Sequence, residues 1–171
     1  MKSAEAVFFR GRHTGGVTDS ELRIRPAVRG DLGAIKAIVR DAYAVYIPRI
    51  GREPGPMGWN YAALVDADEV WVATEEDEDA VVGVLVLRLQ PDHLVLENVA
   101  VAPAEQGRGV GRRLIDYAER HARALGLPEV TLYTHERMTE NRRLYASLGY
   151  LETERGTDEG LRRVYLRKPV G

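Results

Sequence analysis

Apolar and polar positions change period several times along the chain, and each change marks an element. Leu22 and Ile24 alternate with charged neighbours over Glu21–Arg25 and then meet Pro26, which predicts a short strand. The spacing then lengthens. Leu32, Ile35, Ile38, Val39 and Ala42 share one helical face, with Asp31 placed to cap a helix running to about Val45. The stretch Ile47–Gly58, IPRIGREPGPMG, holds three Pro and three Gly and is expected to be loop. A second helix is expected over Trp59–Val65. Strands follow at Glu69–Thr74, Val81–Leu89 and Leu94–Val101, the first two joined by EEDED (Glu75–Asp79), which reads as a solvated hairpin tip. Gly109–Leu125 is the strongest helical pattern, with Val110, Leu114, Ala118, His121, Ala122 and Leu125 near helical spacing and Gly126 and Pro128 as stop signals. A strand over Glu129–Thr134, a helix from Thr139 to Leu148 and two strands, Tyr150–Glu154 and Arg162–Arg167, complete the series. Thr139 is expected to cap its helix, and Asp158-Glu159-Gly160 to turn the last hairpin.

This order predicts one α/β domain over residues 21–171, with a mixed sheet of about seven strands and helices on both faces. Residues 1–20, whose only apolar stretch is Ala6–Phe9, read as a flexible arm. Leu94–Val101 is apolar on both sides and so is expected to be central. Strict alternation would put residues 95, 97, 99 and 101 on one face and 94, 96, 98 and 100 on the other.

Composition removes several classes of function. Net charge is −2, without the extended basic surface expected of a nucleic-acid binder. No apolar run reaches the roughly 20 residues of a membrane helix. There is no Cys, so disulfides, thiolate metal sites and a cysteine nucleophile are excluded; this is compatible with the cytoplasmic setting expected of the chain and does not show it. His13, His93, His121 and His135 lack metal-ligand spacing, so no metal is expected.

The chemistry gathers after Leu94–Val101. There Pro103 leads into Gln106-Gly107-Arg108-Gly109-Val110-Gly111 and then the long helix. Glycines admit positive φ and leave N–H groups unshielded. A helix N terminus adds unpaired donors and a partial positive charge, and together these suit a phosphate. A Walker loop would need Gly-Lys-Ser/Thr, but Arg112 and Arg113 follow Gly111. A dinucleotide fingerprint starting at Gly107 would need glycine at 112 and a place after the first strand, so a nucleotide-dependent enzyme is disfavoured.

On Gln106, Gly109 and Gly111, between that strand and that helix, the sequence resembles the GNAT superfamily of N-acetyltransferases, and the resemblance extends over residues 21–168. It implies a splay between the fourth and fifth strands, where Val99 and Leu132 part, and acetyl-CoA as co-substrate. By this resemblance Gln106 and the turn Gly107, Arg108, Gly109, Val110, Gly111 and Arg112 hold the pyrophosphate. Val99, Ala100 and Val101 would run beside the pantetheine arm as if it were an added strand. TENRRLYASLGY carries the family's Asn-x-x-x-Tyr followed by Gly-Tyr. Asn141 then contacts the CoA arm, and Tyr145 is the candidate general acid. Asn141 and Tyr145 are four apart and share a helix face.

Glu97 is the candidate base. A charge on a central strand is costly unless paired or used. An amine of pKa ~10.4 is neutral in only about one molecule in 2,500 at pH 7, and only the neutral form attacks a thioester. Asn98 reads as a structural hydrogen-bonding residue. Arg49 and Arg52, in the loop that borders the acceptor pocket in the family, are candidates for an acceptor carboxylate, and His135 for another acceptor contact. The expected activity is acetyl transfer from acetyl-CoA to a primary amine of a small molecule or peptide by direct attack, without nucleic-acid or membrane partners and with a homodimer possible as in the family. The alternative is a catalytically silent acyl-CoA-binding sensor, which keeps the glycine turn and lacks acceptor chemistry.

Overall fold

The computed structural model describes residues 22–75 and 79–171. The N-terminal arm, His13, and residues 76–78 of the hairpin tip lie outside the described residues.

Seven strands form one mixed sheet: β1 (Leu22–Pro26), β2 (Val70–Glu75), β3 (Val81–Leu89), β4 (Leu94–Val101), β5 (Glu129–His135), β6 (Leu151–Asp158) and β7 (Leu161–Pro169). Their spatial order is β1-β2-β3-β4-β5-β7-β6, and β4–β5 is the parallel pair. Helices α1 (Leu32–Tyr43), α2 (Ile47–Ile50) and α3 (Tyr61–Asp66) precede β2, α4 (Val110–Ala124) joins β4 to β5, and α5 (Thr139–Ser147) joins β5 to β6. One core packs Ile35, Val39, Tyr43 and Tyr61 of α1 and α3 against Val72, Val84 and Ala100. The other packs Leu114, Ile115 and Ala118 of α4 and Tyr145 of α5 against Leu85, Leu96, Val99 and Leu132. The sheet is therefore covered on both faces, which is why β4 is apolar on both.

Beyond shifted element ends, such as β6 running on to Asp158 and β7 to Pro169, the structure differs from the sequence-based expectations at four places, each with a local cause. The stretch expected to be loop contains helical turns at Ile47–Ile50 and Gly55–Gly58. Each starts with Pro in its first turn, where the missing N–H costs nothing, and Gly51 at φ 85° ends the first. Asp31 stands at the N-cap of α1 without a side-chain capping bond. Its carboxylate turns back to Arg25 (2.8 and 3.0 Å) and accepts the Val28 N–H (2.8 Å). Thr139 is the first residue of α5 rather than its cap.

The fourth difference bears on the site. Val86 pairs with Asn98 and Leu87 with Leu96, so Glu97 is an extra residue in β4 with no partner on β3. A bulge of this kind bends the strand and re-aims side chains. The expected alternation fails across it: Leu94, Leu96, Val99 and Val101 share the α4 face, whereas Ala100 belongs to the α1 face.

Candidate active site

The chain leaves β4 through a short helical turn at Pro103–Glu105 and reaches α4 through Gly107 (φ 85°) and Gly109 (φ 82°). Side chains other than glycine resist this left-handed backbone. Gln106 Nε2 donates to the Val101 carbonyl at 3.1 Å and so ties the turn to the end of β4. Gly109 is the N-cap of α4, and no side chain among the described residues caps the helix. Its first-turn N–H groups are thus left for an external acceptor. Arg108 is paired with Glu105 and, at 3.3 Å, with Glu75, so two carboxylates already hold its charge. Arg112 Nη2 reaches Ser147 Oγ at 3.4 Å and links α4 to α5.

Beside this turn the sheet opens. β4 and β5 pair at Leu94–Val130 and Val95–Thr131 and then diverge, while β3 stays paired to β4 as far as Val101. One edge of β4 from Leu96 onward, including Val99, Ala100 and Val101, therefore faces a gap where a strand partner would sit. α5 delivers two buried side chains beside it. Asn141 is buried with its amide 3.5 Å from Met138 Sδ. Tyr145 is 0 % exposed, packs edge-on against Tyr150 at 5.5 Å, and its hydroxyl has no hydrogen-bond partner among the described residues. Burial raises its pKa, and Tyr46 raises it further. Tyr46 belongs to the core of the opposite face, so the two tyrosines act on each other across the sheet near its opening.

Glu97 is 4 % exposed. Arg88 Nη1 stands 3.3 Å from Oε1, while Oε2 has no partner among the described residues. Burial pushes the carboxyl up to about 7. Arg88 and Arg163 oppose the shift and Glu69 adds to it. A half-satisfied carboxylate that titrates near neutrality can both take and release a proton at physiological pH. Asn98, beside the bulge, instead accepts from Tyr43 Oη at 2.6 Å and donates to Tyr61 Oη at 3.3 Å; Tyr61 in turn donates to the Pro56 carbonyl at 2.8 Å. This buried chain fastens α1 and α3 to β4.

Around the remaining side of the gap, α2 and its following loop are stitched to the β5–α5 turn and the β6–β7 turn. Arg49 is paired with Glu140 at 2.9 Å and lies over the Tyr46 ring. Arg137 Nη1 donates to the Arg49 carbonyl at 2.7 Å, and Arg52 Nη2 to the Glu159 carbonyl at 2.9 Å. His135 is 6 % exposed, and its Nδ1 accepts the Arg137 backbone N–H at 3.1 Å. Burial lowers its pKa, and Arg137, Arg52 and Arg162 lower it further against the opposing pull of Glu136, so the ring is held neutral.

The candidates thus fall into three groups: the glycine turn with the open edge of β4, the Tyr145–Asn141 face of α5, and a rim that includes Arg52 and His135. Arg49 is on that rim with its charge already engaged. Sequence reasoning missed Arg88, Arg137, Arg163 and Tyr46. Arg163 is buried, stacks over Tyr133 at 4.5 Å and pairs with Asp158. Its signal was an arginine in phase with Leu161 and Tyr165 along a strand. Among the described residues, no three His, Asp or Glu side chains come together as a metal site.

A family model described as the Acetyltransferase (GNAT) family matches residues 35–150. The chain is 44% identical over 61 residues to mouse N-alpha-acetyltransferase 80, covering 36% of this chain and 18% of that protein. It is 50% identical over 52 residues to the mycothiol acetyltransferase of Streptosporangium roseum, covering 30% of this chain and 15% of that protein. It therefore spans less than a fifth of the length of these curated relatives. Its fold is similar to that of the PaiA N-acetyltransferase of Thermoplasma acidophilum in complex with coenzyme A, with a TM-score of 0.74 at 17% identity, over 87% of this chain and 99% of that one. With the family model spanning the sheet opening, the glycine turn and α5, this chain belongs to the Acetyltransferase (GNAT) family.

Proposed function

We propose that the protein is an acetyl-CoA-dependent N-acetyltransferase that moves the acetyl group to a primary amine by direct attack. The observation that carries this reading is the opening between β4 and β5 directly beside an uncapped glycine-rich helix start. An extended thioester arm fits the first feature and a diphosphate the second. The helix terminus contributes ~0.3–1 kcal/mol to anion binding when exposed and up to ~2 when partly buried, and several N–H bonds add to it. Gln106, Gly107, Arg108, Gly109, Val110, Gly111 and Arg112 would hold the diphosphate, and the β4 edge at Val99, Ala100 and Val101 the arm, with Asn141 across from it.

Bound there, acetyl-CoA supplies an activated acyl carbon and a thiolate leaving group. Glu97, ionised above about pH 7, accepts the amine proton directly or through water. A backbone N–H near Val99 polarises the carbonyl. As the C–N bond forms and the C–S bond breaks, Tyr145 gives its proton to the departing sulfur. Burial keeps Tyr145 protonated until then, and solvent restores both groups afterwards. No acyl-enzyme is required, in keeping with a chain that has no Cys.

The test is acetyl-CoA with a panel of amines, followed by thiol release and by the mass of the product. Amine-dependent thiol release with a 42 Da gain on the amine is expected. Saturable CoA binding without such release would favour the silent sensor.

A further inference from the structure

Three acidic side chains around the rim are already committed. Glu140 is paired with Arg49, Glu136 with Arg162 at 3.1 Å, and Asp158 with Arg163. Two arginines are left over. Arg52 and Arg137 each donate to a neutral backbone carbonyl, of Glu159 and Arg49 respectively, and neither has a carboxylate partner among the described residues. Glu159, to which Arg52 is bonded, offers its carbonyl rather than its carboxylate.

Both guanidinium groups are therefore oriented by one hydrogen bond each and stand in no ion pair among the described residues. They also lie on one patch: Arg137 is bonded to the carbonyl of Arg49, three positions before Arg52, and both act electrostatically on the buried His135 ring. That ring stays neutral, with Nδ1 occupied by a backbone N–H, so its Nε2 carries the proton as a further uncharged donor. His135 is the register partner of Arg163 on β7, and the field of Arg163 reaches Glu97. A line of residues thus runs from the base to the rim, acidic at the inner end and cationic at the outer end.

Resting on the acetyltransferase reading above, we propose that the acceptor is an amine that also carries an anionic group, a carboxylate or a phosphate. The amine enters toward Glu97, and the anion is held at the rim by Arg52 and Arg137. The planar guanidinium fork matches either oxyanion, and such charge-assisted bonds are about twice as strong as neutral ones. Selection comes from the lost contact: an amine without the anion leaves both arginines as they are, with no gain on binding.

Paired acceptors test this, each pair differing only in the anion: 4-aminobutyrate against butylamine, phosphoethanolamine against ethanolamine, and glycylglycine against its amide. The anionic member is expected to show at least a tenfold higher kcat/KM, chiefly through KM, and the two kinds of pair separate carboxylate from phosphate. In an Arg52→Gln/Arg137→Gln double variant that ratio should fall to near one. Equal or better use of the neutral members by the wild-type protein overturns the proposal and leaves acetyl transfer standing. So does a ratio untouched by the double substitution with only a lower Tm, because the arginines would then be loop fasteners. If no amine is acetylated, the acetyltransferase reading fails by itself. The anion seat is then read by calorimetry with 4-aminobutyrate and phosphoethanolamine: binding lost in the double variant supports the seat, and no heat with either compound overturns it.

Discussion

Tyr145 and Glu97 make opposite demands on the fold, and this separates a catalytic role from a packing role. The Tyr145 hydroxyl is buried without a partner among the described residues, and such a group costs about 1–3 kcal/mol. Tyr145→Phe should therefore leave Tm unchanged or higher, while turnover falls at least ~100-fold, the low side of general acid–base contributions. CoA affinity should stay nearly intact. A lower Tm with an unchanged rate would make Tyr145 a core residue. For Glu97, the carboxyl titrates near 7 in the folded chain against an ordinary 4.5. Folding therefore takes up a proton in the window between about 4.5 and 7, and stability falls as pH rises through it. Turnover should move the other way, rising through about pH 7 as the base ionises. Glu97→Gln should flatten that profile and slow the reaction. At pH 8 it should gain ~1–3 kcal/mol of stability over the wild type, and little at pH 4.5, as read by denaturant unfolding. A wild-type profile flat between pH 6 and 8 would remove Glu97 as the base.

At the scale of elements, the fit of α4 on the sheet sets the place of the glycine turn. A Cβ on Gly83 of β3 would stand 2.9 Å from Leu114 Cδ1 and 3.1 Å from Val110 Cγ1. Glycine leaves the room that these two side-chain ends of α4 fill. Gly83→Ala should cost ~1–3 kcal/mol by overpacking and should also weaken CoA binding, because the helix start is pushed outward. Thermal unfolding and calorimetry on the same sample check both effects, and destabilisation with unaltered CoA affinity would uncouple them. The elements themselves were largely legible. The continuous apolar run of β3 and the helical face of α4 were strong signals, because β3 lies between the two cores and α4 buries its apolar side on one of them. What was not legible came from longer range. The bulge at Glu97 depends on how β3 pairs with β4, and periodicity within one strand holds no record of that register. The Asp31 and Thr139 caps were misread because a carboxylate next to Arg25 had a better partner, and because α5 starts one residue earlier than a Thr139 cap would place it.

For the whole molecule, the glycine turn was readable because its backbone demands glycine, whereas the rim was not. Arg52 and Arg137 are 85 positions apart in the chain, and their meeting around His135 follows from the crossing of α2, β5 and β7. Arg49 looked equivalent to Arg52 in sequence, yet Glu140 of α5 neutralises it. Acetyl transfer as proposed depends on one seat, the start of α4 beside the open edge of β4. Titration calorimetry comparing coenzyme A with pantetheine, which lacks the diphosphate, tests that seat most directly. Coenzyme A should bind at least ~100-fold more tightly, a difference of about 2.7 kcal/mol. Equal affinities, or no heat with coenzyme A, would contradict it.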